Sequence, residues 1–221
     1  MVALALAGGP PSQPPAVDAA LVQRIQAHYD QVQDFEAHFI QRVVHRIVHK
    51  VIEESGTMAF KRPGRMRWEY QNPENKLFVT DGEKSYFYVP EDRQVIVSHT
   101  PGGAMGLAEG SPFSIIMGET RLLDAFEVKN SDSGPQVGGE VLLLIPRRPQ
   151  EDFEEAEIEV RPENGQVIRV SLLDSQGNRT EFLFDEIREN RGLVDSMFRF
   201  SVPSGVDILI ASDSGAPSPL K

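Results

Sequence analysis

The 221-residue chain contains no cysteine. This excludes a disulfide framework, a thiolate zinc site, an iron–sulfur cluster, a cysteine nucleophile and an S-linked lipid anchor. Positive charge is scarce as well. Twenty-two Lys and Arg stand against 33 Asp and Glu, a net charge of −11 with neutral histidines. General nucleic-acid binding needs clustered Lys and Arg, so nucleic acid is not an expected partner. The chain is also a poor candidate for electrostatic docking on anionic lipid. No apolar run approaches the roughly 18–20 residues of a membrane helix. The nearest is MVALALA at 1–7, either the remnant of a signal-peptide core or an ordinary start.

What is present suits one globular domain: 40% hydrophobic and 25% charged residues. Residues 1–17, including GGPPSQPPA, read as a disordered leader or signal remnant, and 212–221 as a flexible tail. The folded domain is expected over 18–211. Asp18 is a plausible N-cap, and Leu21, Val22, Ile25, Tyr29 and Val32 follow at helical spacing. From Phe35 the period becomes two. Phe35, Ala37, Phe39 and Val43 share one strand face. Glu53–Gly56 reads as a turn. Strands are expected at Thr57–Arg62 and Arg65–Tyr70 around Pro63-Gly64, and at Leu77–Thr80 and Lys84–Val89 around Asp81-Gly82. Gln94–His99 forms the next strand, and 100–112 reads as a loop.

Ser111 and Pro112 open a short helix over PFSIIMGE, with Gly118 as its C-cap. Thr120–Val128 is either helix or strand. Further strands are expected at Glu140–Pro146, Phe153–Arg161, Gln166–Leu173, Arg179–Glu186 and Met197–Val202. In Phe153–Arg161 the glutamates 155, 157 and 159 alternate with Ala156, Ile158 and Val160. They read as a solvated face, with Glu159 opposite Arg169. The fold class is therefore mainly β: a large up-and-down antiparallel sheet of about ten to eleven strands, curled into a barrel or half-barrel, with a helical insert.

No catalytic constellation is visible: no GxSxG, HExxH, P-loop or GxGxxG. His45 and His49 read as sharing a strand face about 13 Å apart, too far to chelate one ion alone. No metal, no cofactor and no enzymatic activity are expected. The informative stretch is GTMAFKRPGRMRWEYQNPENKLFVTDG at 56–82. Met58, Phe60 and Arg62 fall on one face. An arginine ending an apolar face either finds a partner there or snorkels to solvent. Met66 and Trp68 alternate with Arg65, Arg67 and Glu69.

These residues resemble the outer-membrane lipoprotein carrier family, LolA. The resemblance starts at LVQRIQAHYDQVQDFEAHFIQ, with Phe35, Phe39 and Gln41 in an aromatic-x-x-x-Phe-x-Gln pattern. It is most specific at SGTMAFKRPGRMRWEY. It continues through LFVTDGEKSYFYVPEDRQVIV, SPFSIIMGE and FRFSVPSGVDIL, while 129–190 match only in strand pattern. Met66 stands where the family usually has a bulkier residue, and Ser85-Tyr86 where Leu-Trp is common.

The resemblance implies an unclosed antiparallel half-barrel under an α-helical lid. It implies a monomeric periplasmic carrier of lipoprotein acyl chains, loaded by an inner-membrane ABC transporter and unloaded at an outer-membrane receptor. A periplasmic module for another lipid on the same fold is the alternative. The ligand site is expected at Phe39, Met58, Phe60, Met66 and Trp68. The lid is expected to comprise Leu21, Ile25 and Tyr29 with Phe113, Ile115, Ile116 and Met117. Phe78 and Phe87 face inward by parity. In the family the Arg-Pro arginine latches the lid, which implies that role for Arg62.

Overall fold

The computed structural model describes residues 17–99, 112–150 and 152–211. The leader at 1–16, the loop at 100–111 with the Ser111 cap, and the tail at 212–221 lie outside the described residues. Asp18 caps helix α1 (Ala19–Gln31) by accepting a 2.8 Å hydrogen bond from the Ala20 amide. This satisfies one of the donors that a helix start leaves free. Leu21, Val22, Ile25 and Tyr29 form its buried stripe.

The chain then runs through β1 (Asp34–His45), β2 (Lys50–Lys61), β3 (Arg65–Asn72), β4 (Lys76–Thr80), β5 (Ser85–Val89) and β6 (Gln94–Ser98). Two short helices follow, α2 (Pro112–Ile116) and α3 (Leu122–Ala125). The remaining strands are β7 (Phe126–Asn130), β8 (Glu140–Pro146), β9 (Glu155–Val160), β10 (Val167–Leu173), β11 (Arg179–Glu189) and β12 (Asp207–Ile210), with a 3-10 helix at Asp195–Phe198. All twelve strands form one sheet, in the order β12-β6-β5-β4-β3-β2-β1-β11-β10-β9-β8-β7. Its outermost strands, β12 and β7, do not pair, so the sheet is unclosed. Helix α1 and α2 pack against its concave side within one apolar cluster.

Hairpin register makes that side continuous. Ala37, Met58, Trp68, Phe78, Phe87 and Ile96 lie directly opposite one another across β1 to β6. Because side chains alternate faces, one row of partners puts one apolar row on one face. Phe78 is fully buried and Phe87 packs against the same cluster, so both face inward.

Several expectations are corrected. The sheet has twelve strands rather than ten or eleven, and β12 runs parallel to β6. Glu53–Gly56 is not a turn but the middle of β2; the turn lies at 46–49. Gly56 belongs in the strand because a β-carbon there would meet the Glu69 carbonyl oxygen at 1.8 Å, where the β2–β3 register shifts. Glycine inside a strand marks such an approach. His49 sits in the 46–49 turn at φ 51° and does not share a strand face with His45. Met197–Val202 is no strand. Phe198 packs with Ala59 and Leu193, and the Phe200 ring lies tilted 5.5 Å from both Tyr86 and Tyr88. These tilted ring contacts and the Phe198 packing on the convex face override the local strand propensity there. The ambiguous 120–128 segment is both: helix α3, then strand β7.

The glutamate face is the largest correction. Glu157 and Glu159 are buried, not solvated. The connection between β7 and β8 lies over them: Gln136, Val137 and Gly139 amides donate to the Glu159 carboxylate at 2.9 Å, and the Ser131 hydroxyl donates to Glu157. Arg169, 1% exposed, lies opposite Glu159 as expected and donates to Glu181 at 2.9 Å and Glu157 at 3.4 Å. Its Nε and Nη1 have no partner among the described residues.

Candidate functional site

The concave face holds an aromatic cage. The Trp68 ring meets Phe39 at 4.8 Å and Phe182 at 5.5 Å, edge to face in both cases. Phe39 also meets Tyr70 at 5.0 Å. Such edge-to-face pairs favour a fixed cage geometry beyond simple burial. The Trp68 indole N–H points to the Met66 sulfur at 2.8 Å, so the smaller Met66 leaves no polar hole in the wall. Phe60 and Met58 complete the β2 contribution, both buried.

Helix α2 enters this cage. Phe113 lies 5.8 Å from Trp68 and 5.1 Å from Phe182, and its ring also faces Phe184. Ile115, Ile116 and Met117 are buried beside it. The residual cavity beneath is about 20 Å³, bounded by Tyr29, Phe35, Met58, Phe113, Ile116 and Phe184 among others. A space of that size holds about one water molecule. Among the described residues, α2 side chains thus fill this part of the concavity, and the cavity beneath Phe113 and Ile116 is too small for an acyl chain.

Helix α1 is fixed differently. The Val167 amide donates to the Tyr29 hydroxyl at 2.8 Å, inside the protein. His28 meets Glu189 at 2.9 Å, and Arg24 donates to the Pro162 carbonyl. Burial resists ionisation of the Tyr29 phenol and raises its pKa well above the ordinary value, against the hydrogen bond from Val167; it remains neutral. Glu189 is half-buried, which opposes its ionisation, yet the His28 and Gln166 hydrogen bonds outweigh this and hold its pKa below the ordinary carboxylate value.

Arg62 joins the two helices. It follows β2, on the face of Met58 and Phe60. Its Nε donates to the Met117 carbonyl at 2.9 Å, and its Nη2 donates to the Tyr29 carbonyl. Met117 directly follows α2, and Tyr29 lies in the last turn of α1, where carbonyls lack intrahelical partners. Gly118 makes the approach possible. It has φ +66°, and a β-carbon on it would come within 1.5 Å of Arg62 Nη2. The residue that ends the helix therefore also seats the guanidinium.

All the residues expected at the site come together in this one cluster: Leu21, Ile25, Tyr29, Phe39, Met58, Phe60, Met66, Trp68, Phe113, Ile115, Ile116 and Met117. Sequence reasoning missed the opposite wall. Phe182 and Phe184 of β11, Val167 of β10 and Ile187 face the same space. The signal was there in the alternation of EFLFDEI, but nothing local said which face would meet β1. Phe35 and Ala37 were on the right face and also line the cavity. Among the described residues no group of His, Asp and Glu is arranged to hold a metal ion, and no helix is long and apolar enough to cross a membrane.

The family model described as "Outer membrane lipoprotein carrier protein LolA" matches residues 30–201. The chain belongs to that family. A protein of Nitrosomonas europaea named outer-membrane lipoprotein carrier protein is 30% identical over 198 residues, covering 89% of this chain and 92% of that one. One of the same name from Dechloromonas aromatica is 32% identical over 187 residues, covering 81% and 86%. Among solved structures, an uncharacterized conserved protein of Thermus thermophilus superposes with a TM-score of 0.53 at 11% identity, covering 87% of this chain and 98% of that one. That likeness is one of fold. Family members are carriers rather than enzymes, in keeping with a site made of apolar side chains and one arginine.

Proposed function

We propose that the protein is a periplasmic carrier that shields the acyl chains of lipoproteins on its concave face. In this reading it takes them from an inner-membrane ABC transporter and delivers them to an outer-membrane receptor. The physical need is plain. Each methylene exposed to water costs about 0.8 kcal/mol, so a lipoprotein's chains cannot cross an aqueous space unaided at a useful rate.

The observation that supports the reading best is the occupied concavity. Phe113, Ile115, Ile116 and Met117 fill an apolar cage that would otherwise be exposed. They act as internal stand-ins for cargo. Acyl chains entering the cage replace α2 contacts by contacts of the same kind, so the exchange is near balance. Helix α1, tied at Arg24, His28 and Tyr29, is the fixed post, and α2 is the part that moves. Arg62 adds a charge-assisted bond of about 1.5–3 kcal/mol to the closed form. That favours closure when empty and is outweighed once chains are bound.

The test is a two-stage transfer. Purified protein is mixed with inner-membrane vesicles carrying a radiolabelled lipoprotein, the transporter and ATP, then with outer-membrane vesicles. The label should appear in a soluble complex and then in the outer membrane. A protein that leaves the label in the first vesicles, yet co-purifies with a different lipid by mass spectrometry, would be a lipid module of another kind.

A further inference from the structure

The β1–β2 hairpin projects an apolar tip that the cavity does not use. Ile47 is 76% exposed, Val48 68% and Val51 59%, the first two in the turn itself. Exposed aliphatic side chains grouped at one apex are unusual on a soluble surface. Their flanks are basic: Arg42, His45, Arg46, His49 and Lys50, with no Asp or Glu from residue 42 to residue 52. Two acids stand near the tip. Glu53 pairs with Arg42 at 2.7 Å, and Asp174, in the neighbouring β10–β11 turn, accepts from Gln176 and Asn178. The turn is held in place from beside it. The Arg46 amide donates to Asn178 at 3.1 Å, and the Arg46 side chain lies against Gly177.

The contrast with the rest of the chain gives the tip its meaning. The molecule carries −11, yet residues 42–52 hold Arg42, Arg46 and Lys50 and no acid. An acidic body with a basic apex is oriented apex-first by a negative surface. Lys50 to Lys61 spans the whole of β2, about 36 Å, so the tip is at the opposite end of that strand from Arg62 and the lid. Contact at the tip leaves the latch unobstructed.

We infer that the 46–51 hairpin tip is a docking site for an anionic phospholipid surface, with Ile47 and Val48 entering the interface and Arg46 and Lys50 meeting headgroup phosphates. Basic residues beside short apolar anchors are the general chemistry of reversible interfacial binding. The binding is weak by design: a few aliphatic groups and charges, opposed by the acidic body. The inference goes beyond the carrier reading, and its test needs no cargo.

The test is co-flotation of the full, empty protein with vesicles of phosphatidylethanolamine and phosphatidylglycerol, compared with phosphatidylcholine alone. The bound fraction should be at least fivefold higher on the anionic vesicles and should fall as salt is raised. Ile47→Asp with Val48→Asp should reduce it about tenfold. Arg46→Ser with Lys50→Ser should reduce it similarly while keeping the apolar apex, and serves as the second arm if the first pair lowers the unfolding midpoint. Acyl-probe uptake by either variant should match the wild type. Equal flotation on neutral and anionic vesicles, or none on either, overturns the inference, including the case in which the tip serves an acidic protein instead. Anionic flotation unchanged in both variants also overturns it.

Discussion

Two arginines in this molecule are held in opposite ways. Arg169 is fully enclosed on the convex side and donates to the Glu157 and Glu181 carboxylates beneath the 131–139 connection. Arg62 is half-buried at the lid and donates to two backbone carbonyls. A buried ion pair cannot be opened cheaply, because separating it strands charge in a low-dielectric interior. A guanidinium on carbonyls can let go and be rehydrated. In the carrier reading proposed above, the convex site stays shut and the concave site reopens.

The same substitution should therefore do different things at the two places. Arg169→Leu leaves buried carboxylates without their cation and should destabilise the fold by about 3–5 kcal/mol. Urea unfolding checks this. A midpoint equal to the wild type's would mean that the 131–139 connection, the strap over these glutamates, is held by other contacts. Arg62→Leu should instead leave the fold cooperative and cost it no more than the lid's own bonds, about 1.5–3 kcal/mol. Loading should be retained. Delivery should be impaired, because the closed state has lost its bonds and leucine adds an apolar contact to the open one. Loading and delivery measured separately make the distinction, and normal delivery would end the latch reading.

Gly118→Ala probes the latch without touching its charge. Alanine at φ +66° costs about 1–2 kcal/mol, and its β-carbon displaces Arg62. Its delivery defect should resemble that of Arg62→Leu but be smaller, by the same two-step assay.

Acid provides the gentlest test. Glu157 and Glu159 are buried, which opposes ionisation. The Ser131 and Ser133 hydroxyls at Glu157, the strap amides at Glu159, and the nearby arginines outweigh it and hold both pKa values below normal. Folded values below unfolded ones mean that the stabilisation is complete above the ordinary carboxylate range, near pH 4.5, and is lost as pH falls through the folded values. Amide hydrogen exchange in 131–139 should accelerate below about pH 4.5, after correction for intrinsic rates. The contacts of Arg62 involve carbonyls that do not titrate there, so exchange around 113–117 should not follow the same curve.

The sequence was most legible where periodicity and turn chemistry agree. The row from Met58 through Trp68 and Phe78 to Phe87 follows from strand parity and the Pro63-Gly64 and Asp81-Gly82 turns. The opposition of Glu159 and Arg169 follows from the hairpin centred on Asn164. Burial of that pair did not follow, because alternation says which residues share a face but not what covers it. The strap comes from a connection whose glycines and serines carry no periodic signal. The far cage wall, Phe182 and Phe184, was hidden for a related reason: its face is decided by long-range pairing of β11 with β1. The Glu-Glu-Ser-Gly stretch misled because Gly56 answers to the Glu69 backbone, a demand from another strand.

The most direct measurement uses the natural absence of cysteine. Asp30 follows Tyr29 on α1 and Glu119 follows Gly118 after α2; both are exposed and lie beside the two carbonyls that Arg62 joins. Cysteines placed at these positions take spin labels without competing sites, and pulsed electron resonance gives the distance between them. The account predicts a single short distance in the empty protein, a longer one when a diacyl probe is bound, and the longer one already in part of the empty Arg62→Leu population. A distance that stays the same in all three samples, while the probe is shown to bind, would contradict a lid that opens for cargo and is held by Arg62.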